Sequence, residues 1–387
     1  MELESGSRPK GGIVEGQGDV FSIGGEHLDD FGSFNLSSRK LVPDYFFKMM
    51  RRGIVKPNDI LIVKDGATTG KVSFVLENFP KFPCCINEHV FRLSVKKDFS
   101  DARYVFYYLY SPKGNREIMN DFRGATVGGI SQEFVEKINI PLPPLPEQRR
   151  IAALLAKADR LRRLRRYAMQ LGDTYLQSVF LKMFGEHLLH DAKNKFDDVL
   201  EIPLVNGVFE YNENYGKGTP VIWVDNLYHT VSINTTNLRR AKLDDNTITK
   251  YEVFEGDLLF TRSSLVEEGV GQVNIVPILS ERTTFECHTI RARVNQKKVN
   301  PYYIVELYRS YFGRALIMQI AKTATMTTIG QGDIRELPCP IPPLTLQERF
   351  AGVVRRYEHL RAQQRESARQ AGGLFQSLLK SAFEGNL

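Results

Sequence analysis

Cysteine is scarce in this chain of 387 residues. Its four cysteines, Cys84, Cys85, Cys287 and Cys339, are too few and too scattered for a disulfide framework or a CxxC zinc site. Reduced thiols in a cytoplasmic protein are the expectation. No apolar run approaches the ~20 residues that cross a bilayer, so no membrane association is expected. The start, Met1-Glu2-Leu3-Glu4-Ser5, lacks the charged-then-apolar pattern of a secretory signal. Catalytic motifs are missing too. Gly66-Ala67-Thr68-Thr69-Gly70-Lys71 places three residues between its glycines where a phosphate loop needs four, and Val72 stands where the magnesium-binding hydroxyl belongs. No Gly-x-Gly-x-x-Gly opens a helix after a strand. The Pro-Pro pairs follow Pro143 and Pro342, not the Asn or Asp of an amino-methyltransferase. Asp59 and Asp65 lack the Glu-x-Lys of a metal nuclease. His89 and His288 have only Glu88 and Cys287 beside them, so satisfied structural histidines are expected and no metal site. The chain reads as non-catalytic, with no cofactor of its own.

What is present is a duplication. Shifted by 199, the second half falls on the first: His89 meets His288, Arg92 meets Arg291, Tyr104 meets Tyr303 and Ser111 meets Ser310. Ala125-Thr126 meets Ala324-Thr325, Gln132 meets Gln331, and Phe184 meets Phe383. One structural unit is therefore used twice, which points to a target presenting two related but separate sites. Each copy is long enough to bury its own core. The net charge of +7 leans mildly toward a polyanionic partner.

Within each copy a mixed α/β domain precedes one long helix. Ile60–Val63 and Leu258–Thr261 read as buried strands. Lys71–Val75 and Gln272–Val276 alternate as half-buried strands do, and Val90–Leu93 and Thr289–Ala292 predict another pair. Ala102–Leu109 and Pro301–Leu307 read as short helices. Pro-Leu-Pro-Pro-Leu-Pro (141–146) and Pro-Ile-Pro-Pro-Leu-Thr (340–345) read as stiff extended connectors, because proline continues neither a ladder nor a helix interior.

Beyond each connector the spacing turns heptad-like. Ile151, Leu154, Ala158, Leu161, Arg165, Ala168, Gly172, Tyr175 and Val179 form one expected seam. Phe350, Val353, Tyr357, Leu360, Gln364, Ser367, Ala371, Leu374, Leu378 and Ser381 form the other. A sustained 3.5-residue repeat predicts two coiled-coil helices of about 38 residues, roughly 57 Å long. The expected pairing is antiparallel about a pseudo-two-fold, setting Arg165 against Ser367, Ala168 against Gln364, Gly172 against Leu360 and Ala158 against Leu374. The basic run Arg160-Leu161-Arg162-Arg163-Leu164-Arg165-Arg166 is expected on a solvated or partner-facing side of its helix.

The run Pro141-Leu142-Pro143-Pro144-Leu145-Pro146-Glu147-Gln148-Arg149-Arg150-Ile151-Ala152 resembles the connector of type I restriction–modification specificity subunits. So does its counterpart, Pro340-Ile341-Pro342-Pro343-Leu344-Thr345-Leu346-Gln347-Glu348-Arg349-Phe350-Ala351. Asp65–Lys71 is similar to a strand-turn-strand of that family's target recognition domains. Two departures stand out. Only Met1–Gly12 precede the first domain's strands, where the second has Phe196–Val208, so an edge element is expected to be missing. The second copy replaces Asp-Gly-Ala-Thr with Ser264-Leu265-Val266-Glu267-Glu268-Gly269.

The resemblance implies target recognition domains over residues 1–145 and 187–344, and spacer helices over 146–186 and 345–387. It implies that each domain reads one half of an asymmetric, split site on double-stranded DNA. The helices would dock two methyltransferase subunits, which carry S-adenosylmethionine, and a restriction/translocase subunit is a further implied partner. Base edges are read by Arg, Lys, Asn, Gln, Ser and Thr. Candidate DNA contacts are Ser7, Arg8, Lys10, Arg39, Lys40, Thr68, Thr69 and Lys71 in the first domain. In the second they are Arg239, Arg240, Lys242, Arg262, Ser263 and Ser264. Two other readings stand beside this one: a coiled-coil adaptor that never touches DNA, and a stand-alone nucleic-acid methyltransferase.

Overall fold

The computed structural model of the chain describes residues 1–12, 18–79, 82–124, 128–190, 193–210, 212–228 and 231–384. The matched dipeptide Ala125-Thr126 lies outside them. Two compact units emerge: Met1–Arg165 with Ser367–Leu387, and Arg166–Glu366.

The first unit begins with β1 (Glu2–Ser5), β2 (Val20–Ile23), β3 (Leu41–Val42), α1 (Asp44–Met49), β4 (Ile60–Val63), β5 (Val72–Phe74), β6 (Cys84–Ile86) and β7 (Val90–Ser94). Helices α2 (Ala102–Tyr110), α3 (Pro112–Met119) and α4 (Phe134–Lys137) lead to the long α5 (Leu145–His190). An antiparallel sheet runs β1-β7-β4-β5, and a smaller one runs β3-β2-β6 with β2 parallel to β6. The larger sheet is covered on both faces. Ile60, Ile62, Val72, Phe74, Phe91 and Leu93 pack under the helices. Leu61, Val63, Val75 and Val90 face the smaller sheet. Alternation within Lys71–Val75 predicts one wet face, yet Val72, Ser73, Phe74 and Val75 are all buried. The polar member, Ser73, is satisfied internally, its Oγ donating to Ser33 O at 2.7 Å. The edge strand expected to be missing is present as β1, paired with β7 from Glu2↔Ser94 to Ser5↔Phe91.

The second unit repeats the plan with β8 (Val205–Asn206), β9 (Tyr215–Ile222), β10 (Arg239–Ala241), α6 (Asp245–Tyr251), β11 (Leu258–Thr261), β12 (Ser263–Ser264), β13 (Val273–Ile275), β14 (Thr284–Phe285) and β15 (Thr289–Ala292). There follow α7 (Pro301–Arg309), α8 (Tyr311–Ile320), β16 (Lys322–Thr323), β17 (Thr327–Thr328), α9 (Gln331–Arg335) and the long α10 (Leu344–Phe383). Sheets run β13-β11-β15-β8 and β10-β9-β14, joined by a small third sheet, β12-β17-β16. What this unit has ahead of its first strand is a turn at Phe196–Val199, whose Phe196 packs against Phe260 and Tyr308.

The connectors are bolted down in the same way twice. Tyr104 Oη donates to Pro141 O, and Tyr303 Oη to Pro340 O, both at 2.9 Å. Gln148 Nε2 donates to Pro143 O at 2.8 Å while its Oε1 accepts from Asp101 N at 3.0 Å. Gln347 does the same with Pro342 O and Asn300 N, both at 2.7 Å. Each glutamine thus binds its long helix to the N-cap residue of a short one (Asp101 for α2, Asn300 for α7).

Each unit contains stretches of both long helices. In the second unit Phe184 meets Phe350, whereas a Cβ built on Gly172 would come within 3.0 Å of the Tyr357 ring. Moving back along α5 therefore moves forward along α10, so the two run antiparallel. The expected seams are displaced, however. Leu155, Leu176 and Phe180 are buried where Leu154, Tyr175 and Val179 were expected, and Tyr175 is exposed. On α10 the buried set Ala371, Phe375, Leu379 and Phe383 steps by four. The reason is that these residues serve a domain core as well as a neighbouring helix. Phe375 lies near Tyr107, and Phe383 near Tyr104 and Tyr108. Gly172 accordingly faces Tyr357 and not Leu360, which is exposed. Ala158 shares its core with Phe375, while Leu374 is exposed.

The matched phenylalanines explain the arrangement. Phe383, near the end of the chain, lies 5.3 Å from Tyr104 in the first unit. Phe184, from the first copy, lies 4.8 Å from Tyr303 in the second. Each core is finished by the helix that the other copy supplies.

Candidate nucleic-acid interface

Strand polarity gathers most of the first unit's candidates at one end of its sheets. β4 ends at Val63, opposite Val90, where β7 begins; β1 ends at Ser5, opposite Phe91. Residues 6–10, 64–71 and 87–89 therefore leave the larger sheet at the same end. The smaller sheet joins them there, because β6 runs through Asn87 into that turn and Asn87 N donates to Ile23 O. Lys40 lies beside Ser22, whose N–H its carbonyl accepts at 2.8 Å. Arg123 and Gly129 also lie at this end, with Asp65 and Arg123 both bridged to Gly129.

Many of these cations are already paired. Arg8 lies 3.2 Å from Glu88, Lys40 2.5 Å from Glu26, and Lys71 2.7 Å from Asp30. Thr69 Oγ1 donates to Gly66 O at 2.6 Å, tightening its own turn. Arg8, Lys10 and Arg39 are exposed, while Ser7, Lys40, Thr68, Thr69 and Lys71 are half-buried. An arginine in a weak, exposed ion pair can exchange its carboxylate for a phosphate at little cost.

The second unit gathers fewer. Arg262, Ser263 and Ser264 leave β11 where β15 begins, at the end marked by the pair Thr261↔Thr289. Arg239 sits opposite Val221 near the end of β9, with its guanidinium 4.1 Å from the centre of the Trp223 ring and 3.0 Å from Asp225. Arg240 turns away, donating to Gly218 O at 2.8 Å and pairing with Glu281. Lys242 follows to the far end of β9, where its N–H meets Asn214 O. Ser264 is buried, its Oγ accepting from Val266 N at 3.1 Å. Arg240, Lys242 and Ser264 thus do not join Arg262 and Ser263 at a common surface.

Sequence spacing gave no sign of several groups at these ends. Arg123 joins the first and Lys322 the second, and only strand pairing puts them there. His89 and His288 are half-exposed, and their carboxylate partners are not the expected neighbours alone. His89 Nδ1 meets Asp65 Oδ1, and His288 Nδ1 meets Glu286 Oε2 at 2.7 Å. Glu286, Cys287 and His288 offer donor atoms within 4.8 Å of one another, a grouping that adjacency to Cys287 alone does not reveal. That Oε2 also accepts from His288 N at 2.8 Å, and Glu286 Oε1 is buried without a hydrogen-bond partner.

The basic run on α5 is not uniformly solvated. The Arg162 side chain is only 9% exposed; it pairs with Asp159 and lies 3.9 Å from the centre of the Phe375 ring. Its Nη2, like that of Arg163, donates to Phe31 O at 3.1 Å. These two arginines tie the helix to its own domain, because a guanidinium stacks on rings and bonds carbonyls at once.

Against this geometry, residues 51–166 match the family model described as "Type I restriction modification DNA specificity domain". The chain is 25% identical over 380 residues to the EcoKI specificity subunit of Escherichia coli K12, covering 92% of this chain and 80% of that protein. It is 24% identical over 377 residues to the StySPI specificity subunit of Salmonella potsdam, with the same coverage. The crystal structure of a type I restriction–modification S subunit from M. genitalium superposes with a TM-score of 0.57 at 13% identity, covering 99% of this chain and 93% of that one. No helix of the described residues is long and apolar enough to cross a membrane.

Proposed function

The chain belongs to the type I restriction–modification specificity subunits, and we propose that it reads an asymmetric, two-part DNA site on behalf of a methyltransferase. The observation that carries this is one frame used twice with different chemistry at the same sheet end. The first unit presents Arg8, Lys10 and Arg39 there, and the second presents Arg262 and Ser263 followed by Leu265, Val266, Glu267 and Glu268. Equal frames with unequal edges fit two different half-sites, since phosphate contacts position and base contacts specify.

In this reading the chain performs no chemistry. S-adenosylmethionine and the methylating site belong to a separate modification subunit, bound in two copies, and a restriction subunit can join. Tyr167, Leu171 and Tyr175 support a docking role for α5, because they are large, exposed and spaced by four along one side of the helix. Such an assembly works in the cytoplasm. An adaptor that never meets DNA would leave the divergent sheet ends without a purpose.

Methylome sequencing tests this directly. Cells carrying the chain and its methyltransferase partner should show adenine methylation at one bipartite motif, lost when the chain is deleted. The purified chain alone should bind duplex weakly and with strong salt dependence. Methyl transfer by the chain alone, or methylation indifferent to its deletion, would sink the proposal.

A further inference from the structure

The second unit carries a small ribbon that pairs with the strand of the candidates Ser263 and Ser264. Strands β16 and β17 pair as a hairpin, Lys322↔Thr328 and Thr323↔Thr327, turning through Ala324, Thr325 and Met326. β12 lies on the other side of β17, with Ser263↔Thr328 and Ser264↔Thr327. One step further along that register sets Leu265 beside Met326, at the tip of the hairpin. Leu265 is 82% exposed and Val266 62%, and Lys322, Thr323, Ala324, Thr325 and Thr328 are exposed as well. The base of the ribbon is anchored: Ile329 is buried and its N–H donates to Arg262 O at 2.9 Å. An anchored ribbon with an apolar, methyl-rich tip in water calls for an occupant.

We propose that this ribbon enters the major groove of the second half-site, with Leu265 and Thr325 packing on thymine methyl groups and Lys322 on a flanking phosphate. The inference rests on the DNA-reading function above and says which element does the reading in one unit. A two-stranded ribbon fits the major groove, and apolar contact with the thymine C5 methyl is one of the few ways an aliphatic side chain distinguishes bases. Lys322 is 79% exposed, with Asp333 3.8 Å away, so its charge is available to a phosphate. A protein partner would also cover an apolar tip. DNA is favoured because the tip shares its small sheet with hydroxyls and a lysine, and because β12 leads into it from Arg262.

The test uses the full chain with its methyltransferase partner. First, the methylome motif of wild type is compared with those of Leu265→Ala and Thr325→Ala, both exposed positions expected to fold normally. One half of the motif should become degenerate at one or two positions while the other half stays intact. Second, each thymine of that half-site is replaced in turn by deoxyuridine, which removes only the methyl group. Wild type should lose about fourfold in affinity at the contacted position, and Leu265→Ala or Thr325→Ala should lose nothing further there. Lys322→Ala should weaken binding evenly across sequences and lower the salt slope by about 1. A motif unchanged in both halves overturns the ribbon assignment, as does a wild type indifferent to every deoxyuridine. Loss of partner assembly in Leu265→Ala, with DNA selection retained, overturns it in favour of a protein contact. If wild type itself writes no bipartite motif, the DNA-reading function fails and the ribbon with it.

Discussion

Asp121 is a single buried carboxylate that ties Ser131 to Lys137 in the first unit. Its Oδ1 accepts from Lys137 Nζ at 2.6 Å, and its Oδ2 from Ser131 Oγ and N at 2.6 and 2.9 Å. Lys137, then Ser131, hold its carboxyl well below the usual carboxylate range. A group whose folded value is depressed stabilises the fold above its unfolded value of ~3.9, and that contribution fades as pH falls through the interval below. Urea unfolding should therefore show the first unit losing more stability between about pH 5 and pH 2 in wild type than in Asp121→Asn; equal slopes would refute the role. Such partnerships were only half legible. The repeat singled out His89 with His288 and Arg92 with Arg291, but not what they bind. Arg92 takes Asp59 and Glu4, whereas Arg291 has a backbone acceptor, Glu252 O at 2.7 Å, and a buried Nε without a hydrogen-bond partner. Matching residues along a chain reveals a shared strand position, while partners come from whichever loop folds over it.

The four-way glutamine and tyrosine bolt is the most exacting element. Gln148 and Gln347 are almost wholly buried and spend donor and acceptor on backbone groups. Leucine at either position would strand an N–H and a carbonyl, at about 1–3 kcal/mol. Gln148→Leu should speed hydrogen exchange at Asp101 N, and Gln347→Leu at Asn300 N; a change of a few tenths of a kcal/mol with exchange unaltered would mean that the bolt is ornamental. The strands were plain in the sequence because Ile60–Val63 and Leu258–Thr261 are short, apolar and bounded by turns. The helix seams were harder. A heptad count assumes that one neighbour decides which side is buried, but α10 answers to Tyr104, Tyr107 and Tyr108 as well as to α5. Two masters shift the buried side by a residue, and that shift cannot be read from spacing. Candidate loops scattered in the sequence, such as 6–10 and 64–71, converge only because antiparallel pairing brings their strand ends together.

For the molecule as a whole, each core depends on residues far away in the chain. Phe383→Ala should destabilise the first unit by about 3–5 kcal/mol, the usual cost of truncating a buried phenylalanine. Phe184→Ala should do the same to the second. Limited proteolysis with mass mapping reads which unit opens; cleavage confined to the unit nearer in sequence would refute the exchange. The duplication itself was visible from matched positions, and so was the presence of two long helices. That each copy completes the other was not, because only the packing of Phe184 and Phe383 shows where those rings lodge. This dependence has a consequence for synthesis. Until the final turns of α10 leave the ribosome, the opening domain has been made but cannot close, and its tyrosines wait on Phe375 and Phe383. Translation cut short ahead of Phe375 would release a product with its first head unfinished, because Tyr104, Tyr107 and Tyr108 would lack the rings that cover them.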